Sequence, residues 1–330
     1  MRHNKETVPG DVEKIITNGT SAGGAMSALM GATGNHPDYE PYLEALGAAK
    51  ERDDIFAASC YCPIINLENA DIAYEWEFNG LWDCHRHKKV EPQNPGEKEI
   101  YVPTVDTMSK EQMQMSTELK ALFPAYVESL NIKGEDGQKV TLTENGGSLQ
   151  DFVCKLVCQS AQKAMDSGED ISSLNWLRVE DGVVRAVDYR EYIKFRTRMK
   201  DTPAFDSVWM GTPENELFGN TDEPFRHFTA YGVTHSKKNG NMAEAKQIKM
   251  MNPMEYVSDA SATTAKHFRI RHGAVDRDTS LFISALFTLK LRETGVNVDL
   301  AYPWGKWHMG DYDSDELFTW IDGVCKARKA

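Results

Sequence analysis

The stretch that most restricts this chain is Glu13–Gly34, EKIITNGTSAGGAMSALMGATG. Lys14–Thr17 carries the β-branched pair Ile15 and Ile16, and apolar residues recur at helical spacing from Gly24 to Met30, so the stretch reads as strand, turn, helix. Between the two lies Gly19-Thr20-Ser21-Ala22-Gly23, a G-x-S-x-G pattern that makes a nucleophile elbow when it joins a strand to a helix. Small residues two positions on either side of Ser21 would let the backbone reverse without a Cβ clash. A helix starting at about Ala22 turns its free N–H groups and positive end toward the serine, so the Ala22 amide is the expected oxyanion donor. A glycine-rich loop could carry the same motif, so an acid and a base must decide.

Further along, DDIFAASCYCPI reads as a second buried strand, Ile55–Cys60, ending in a proline-bearing loop. From about Tyr61 to Met254 the chain turns polar and amphipathic. Helical stretches are expected near Lys110–Leu130, Leu149–Ala164 and Asp188–Met199, with loops at HKKVEPQNPGEKE and NIKGEDGQKVTLTENGG. Strand character returns at Lys266–Asp276, followed by an apolar helix over Thr279–Arg292, a strand over Val296–Pro303 and a helix over Ser314–Lys326. Strand, helix, strand, helix at this spacing is the rhythm of a parallel sheet with covering helices. The expected organisation is an α/β core made of residues 1–60 and 254–330, interrupted by an inserted domain over 61–253.

Composition excludes several classes of function. A net charge of −13 over 330 residues argues against a nucleic-acid partner. No stretch reaches the roughly 18 apolar residues of a membrane-spanning helix, so no membrane partner is expected. The six cysteines lack the spacing of a disulfide framework, and free thiols point to a reducing compartment. The opening MRHNKETVPGDVEK has no apolar core of a secretory signal, which favours the cytoplasm for the chain as it stands. Cys84-His85-Arg86-His87 lacks a second ligand pair at a zinc-site spacing, and neither a metal nor another cofactor is expected.

In open parallel sheets, working groups collect on loops beyond the carboxyl ends of the strands. Asp276 follows the third strand and His308 the fourth. Ser21, Asp276, His308 is the serine, acid, histidine order of the α/β-hydrolase fold. In these roles His308 takes the Ser21 hydroxyl proton, and Asp276 fixes the imidazole tautomer and balances its charge. His272 is the rival base, but it precedes the acid whereas the fold's order puts histidine last. Asp278 is the rival acid, and either aspartate could instead cap the following helix.

The stretches NGTSAGGAMSALMGATGNHPDYEPYLEALGA, RDDIFAASCYCPI, NADIAYEWEF, PAFDSVWMGTPENELFG, HFRIRHGAVDRDTS and YPWGKWHMGDYD resemble the bacterial tannases, the tannin acyl hydrolases. The resemblance implies an α/β-hydrolase core with a large lid inserted between two late strands. It implies a galloyl ester as the small-molecule substrate and Ser21, Asp276 and His308 as the catalytic residues. It also implies that Lys200, Glu214 and Asp278 hold the galloyl ring, where composition alone would make Lys200 and Glu214 surface charges. Carboxylates can accept hydrogen bonds from three phenolic hydroxyls while an ammonium donates one. Another hydroxyaromatic ester or a peptide bond is the alternative substrate on the same triad. Only twenty residues precede Ser21, fewer than the fold's early strands require, and the resemblance already runs at RHNKETVPGD. The chain is therefore expected to begin inside a domain and to need an N-terminal half or a second copy as partner, or else to be an inactive fragment.

Overall fold

The computed structural model describes residues 1–90 and 100–326. In chain order the elements are β1 (Ile16–Thr20), α1 (Ala22–Ala32), α2 (Glu40–Ala45), β2 (Ala57–Tyr61), α3 (Ala70–Phe78), β3 (Asp83–Val90), β4 (Ile100–Thr107), α4 (Lys110–Leu130), α5 (Ser148–Asp166), β5 (Leu177–Glu180) and β6 (Val183–Val187). They continue with α6 (Tyr189–Arg196), α7 (Pro213–Leu217), α8 (Ala230–His235), α9 (Ala245–Met250), β7 (His267–Arg271), α10 (Leu281–Glu293), β8 (Asn297–Ala301) and α11 (Ser314–Lys326). None of the described helices is long and apolar enough to cross a membrane.

Four strands pair in the order β1-β2-β7-β8, every pair parallel. Ser59 on β2 stands in register with Asn18 on one side and Arg269 on the other. Each residue of β2 is buried, as a strand covered on both faces requires. Because the strands are parallel, all four carboxyl ends open on the same edge of the sheet. The loops after β1, β7 and β8, which carry Ser21, Asp276 and His308, are thus neighbours despite their distance in sequence.

Among the described residues, the polypeptide between β2 and β7 holds the two antiparallel hairpins β3-β4 and β5-β6 and seven α-helices. Its side chains join those of the sheet in one hydrophobic cluster that contains Ala58, Phe268 and Phe287 together with Trp76, Phe123, Leu156 and Tyr192. The stretch that reads as polar includes the buried helix α3, whose Asp71, Glu75 and Glu77 are all buried. Each acid has an assigned partner. Asp71 accepts the Phe205 and Asp206 amides at 2.7 and 3.0 Å, Glu75 pairs with Arg198, and Glu77 pairs with Arg196.

Two local expectations are corrected. Helix α6 stops at Arg196 instead of Met199, because Thr197 adopts φ 60° and the helical ladder cannot continue through it. His87–Val90, expected in a loop, form the end of β3, held by antiparallel pairing with β4. The rest of that loop, 91–99, lies outside the described residues.

Candidate active site

Ser21 sits between the last residue of β1 and the first of α1 with φ 59° and ψ −119°, a strained conformation for a residue with a side chain. Its amide donates to the Tyr61 carbonyl at 3.0 Å, which ties the elbow to the end of β2. A Cβ at Gly19 would lie 2.2 Å from the Gly23 carbonyl oxygen, so only glycine lets strand and helix approach this closely. At Gly23 a Cβ would meet nothing within 4 Å, so the expected need for small residues on both sides of the serine applies to Gly19 alone. Ala22 is the first residue of α1, and its amide is one of those a helix start leaves without an intrahelical partner.

His308 Nε2 lies 2.8 Å from Ser21 Oγ, and His308 Nδ1 lies 2.8 Å from Asp276 Oδ2. The loop carrying His308 is pinned from below. Asp313 accepts from the buried Arg269 of β7, which also donates to the Tyr61 hydroxyl at 2.9 Å, and Asn18 of β1 donates to Asp311 at 3.0 Å. Asp276 is wholly buried. Its Oδ1 accepts the Asp278 amide at 2.8 Å, and its backbone carbonyl accepts from Arg196 of α6.

Burial alone would raise the Asp276 carboxyl, but the His272 and His308 imidazoles outweigh it and hold the acid well below the usual carboxylate range. Burial alone would likewise lower His308. The hydrogen bond and charge of Asp276, with the Cys62 sulfur close by, reverse this and bring the imidazole up to about 10. A buried acid that stays ionised beside a basic imidazole is the electrostatic arrangement a serine nucleophile requires.

His272, the rival base, is turned away from that role: its Nε2 lies 3.2 Å from Asp276 Oδ2 and its Nδ1 3.0 Å from Ser284 Oγ of α10. Lys200 and Asp278 meet, Nζ to Oδ1 at 3.8 Å, and the ammonium lies 4.0 Å from the centre of the Phe205 ring. Glu214 stands half-buried on the first turn of α7. Among the described residues no hydrogen bond or ion pair joins Glu214 to Lys200 or Asp278.

Sequence reading did not find two further features. Cys62, in a left-handed conformation just after β2, is buried with its sulfur near the imidazole. Cys62, Asp276 and His308 are the group among the described residues whose possible metal-ligand atoms lie within 4.8 Å of one another. The Cys84–His87 run lies on β3, where successive side chains point to opposite faces. A second serine, histidine, aspartate chain also exists, with Asp206 Oδ1 2.6 Å from His227 Nδ1 and His227 Nε2 2.9 Å from Ser236 Oγ. Ser236 follows no strand, its Oγ already accepts the Gly240 amide at 3.0 Å, and Asp206 also accepts the Phe228 and Thr229 amides. Those contacts make it a clamp on its loop, without the strained elbow and helix start that Ser21 has.

A parallel sheet with covering helices, an elbow serine after β1 and a histidine after the last strand define an α/β-hydrolase. No family model and no curated protein sequence matches the chain. Solved structures do. It is similar to the tannase from Lactobacillus plantarum, with 46% identity and a TM-score of 0.94 over 98% of this chain and 70% of that one. The tannase from Fusobacterium nucleatum gives 42% identity and a TM-score of 0.91 over 98% and 70%. A tannin acyl hydrolase solved in complex with ethyl gallate gives 46%, 0.91, 98% and 68%. The chain belongs to the tannase family.

Proposed function

We propose that this protein hydrolyses galloyl esters through an acyl-enzyme formed on Ser21. The observation that carries the reading is the unbroken chain Ser21 Oγ, His308 Nε2, His308 Nδ1, Asp276 Oδ2, with both links at 2.8 Å and the serine on a strained elbow. Related tannin acyl hydrolases have been solved with ethyl gallate and with 3,4-dihydroxybenzoate, an ester and an acid with the ring chemistry proposed for this substrate.

In the proposed cycle Ser21 Oγ attacks the ester carbon while its proton passes to His308 Nε2. The carbonyl oxygen gains the negative charge and is met by the Ala22 amide at the helix start. The imidazolium, balanced by Asp276, then protonates the departing alcohol as the C–O bond breaks. Water repeats the sequence on the acyl-enzyme: His308 takes its proton, hydroxide adds to the carbonyl, and Ser21 leaves with the proton returned, releasing gallic acid. Lys200, Asp278 and Glu214 are assigned to the ring hydroxyls, and the insertion over 61–253 to the lid that carries the first and last of these. A site built to pair hydroxyls rejects analogues lacking them by up to roughly 10⁴–10⁵, so ferulate-type esters are expected to be poor substrates.

The test is methyl gallate hydrolysis by the purified chain and by Ser21→Ala, with fluorophosphonate labelling and size-exclusion chromatography of the same samples. Turnover by the wild type and a loss on the order of 10⁴ or more in Ser21→Ala are expected. Equal labelling of wild type and variant removes Ser21 from the nucleophile's role. The elution volume tells whether turnover belongs to one chain or to chains paired along the β1 side of the sheet.

A further inference from the structure

His272 takes no part in moving the serine proton, yet its imidazole is wholly buried against the acid. It follows directly on β7, where its amide donates to the Ala301 carbonyl at 3.1 Å and so extends the pairing with β8 by one residue. The ring is held at both nitrogens. Nδ1 is 3.0 Å from Ser284 Oγ, while Nε2 is 3.2 Å from Asp276 Oδ2 and 3.1 Å from Thr279 Oγ1.

Asp276 decides where the proton on this side of the ring sits. Ionised, it has no proton to offer Nε2, whereas the Ser284 hydroxyl beside Nδ1 also reaches the Leu281 carbonyl at 3.0 Å and does not set the tautomer. A bare Nε2 would set a lone pair against a carboxylate oxygen between two wholly buried side chains, which costs far more there than in solvent. The proton therefore sits on Nε2 and points at Asp276. We infer that His272 is a positioning residue for the triad: its Nε2–H and the Nδ1–H of His308 share Asp276 Oδ2, with the Asp278 amide on Oδ1, and so fix the carboxylate plane and limit its pull on His308. The inference rests on the proposed serine mechanism.

Sharing one oxygen between two donors weakens each bond. Without His272 the carboxylate turns its full charge on His308, whose imidazolium is then held more tightly and releases its proton at higher pH. The other groups facing this cluster remain in place. They are Ser21 and Cys62 at the ends of β1 and β2, Arg277 and Asp278 on the acid loop, Arg196 with Glu77 behind the Asp276 carbonyl, and the hydroxyls of Tyr192 and Tyr302.

His272→Phe keeps the ring volume and removes all three polar contacts of the ring; His272→Gln restores an N–H near the Nε2 position. In kcat/KM against pH for methyl gallate, the acid limb of His272→Phe is expected to move up by about half a unit or more, with kcat down roughly tenfold and KM little changed. His272→Gln is expected to return the limb toward wild type. A limb at the wild-type pH in His272→Phe overturns the inference and reduces His272 to packing. If neither variant folds, the ring ¹⁵N shifts of His272 in the wild-type protein decide: the Nε2–H form supports the assignment and the Nδ1–H form overturns it. Ser21→Ala in the same series separates the two readings, since turnover surviving there removes the serine mechanism itself, while its loss beside an unmoved limb removes only the role of His272.

Discussion

Arg196→Met removes the cation that ties α6 and α3 to the loop carrying Asp276. Arg196 and Glu77 are a fully buried pair on α6 and α3; the guanidinium also donates to the Asp276 carbonyl, and Glu77 Oε2 accepts the amide of Leu281, the first residue of α10, at 3.2 Å. Burial alone would favour the neutral guanidine, but the Glu77 charge more than offsets it and keeps Arg196 ionised. Removing one member of a buried pair costs about 3–5 kcal/mol because the other charge is left without a partner. Adding about 1 kcal/mol for the Asp276 carbonyl that loses its donor, the variant should lose about 4–6 kcal/mol. Glu77→Leu combined with Arg196→Met should regain most of the loss, since two apolar side chains of similar volume replace the pair. Urea unfolding with fixed slope measures the wild type and both variants. A loss in Arg196→Met below about 1 kcal/mol, or a double variant no more stable than the single one, would refute an unpaired Glu77 charge as the source of the cost. Turnover should stay reduced in the double variant, because the Asp276 carbonyl lacks its donor there too.

Gly19→Ala should lower stability by more than about 2 kcal/mol through the clash of its Cβ with the Gly23 carbonyl, and Gly23→Ala should gain about 0.5–1 kcal/mol from helix propensity alone; thermal midpoints that rank the two the other way would contradict the elbow geometry. Asp278→Asn should weaken turnover of methyl gallate more than that of a simple phenyl ester, and equal losses on both would count against a ring contact. Burial pulls His308 down and the Asp276 hydrogen bond raises it to about 10, with Cys62 adding to the rise; Cys62→Ala should therefore move the acid limb of kcat/KM to lower pH, and an upward move would show that the thiol acts otherwise. Burial also pushes the Glu68 carboxyl up to about 7 against an Asn252 amide 2.7 Å away. Its folded value lies above its unfolded one, so its cost to stability is absent below about pH 4, grows as pH rises and is complete above about 7. Glu68→Gln should stabilise the protein at pH 8 by on the order of 1 kcal/mol and leave pH 4 unchanged; greater sensitivity to urea at pH 8 would sink this reading.

What the sequence made legible is what depends on chain order. The turn at Ser21, the strand before it and the helix after it are contiguous, and Asp276 and His308 each follow a strand that its own apolar pattern reveals. Once the strands are parallel, their carboxyl ends share an edge, and three distant residues become neighbours without any further information. The features that stayed hidden depend on pairing across the fold. Helix α3 looks like a solvated segment because Asp71, Glu75 and Glu77 alternate with apolar residues, and only Arg196, Arg198 and the Phe205 and Asp206 amides, more than a hundred residues away, explain how it can be buried. The two hairpins between β2 and β7 are largely exposed, and pairing rather than burial orders them, so His87–Val90 reads as loop until β4 is beside it. His272 shows the same limit at the site itself. Its spacing from Asp276 was visible, but spacing alone framed it as a competitor for the base; Ser284, on a different element, and Thr279 hold the ring so that Nε2 meets the acid. Order along the chain therefore identifies who can act, and contacts between distant elements decide how each acting group is held.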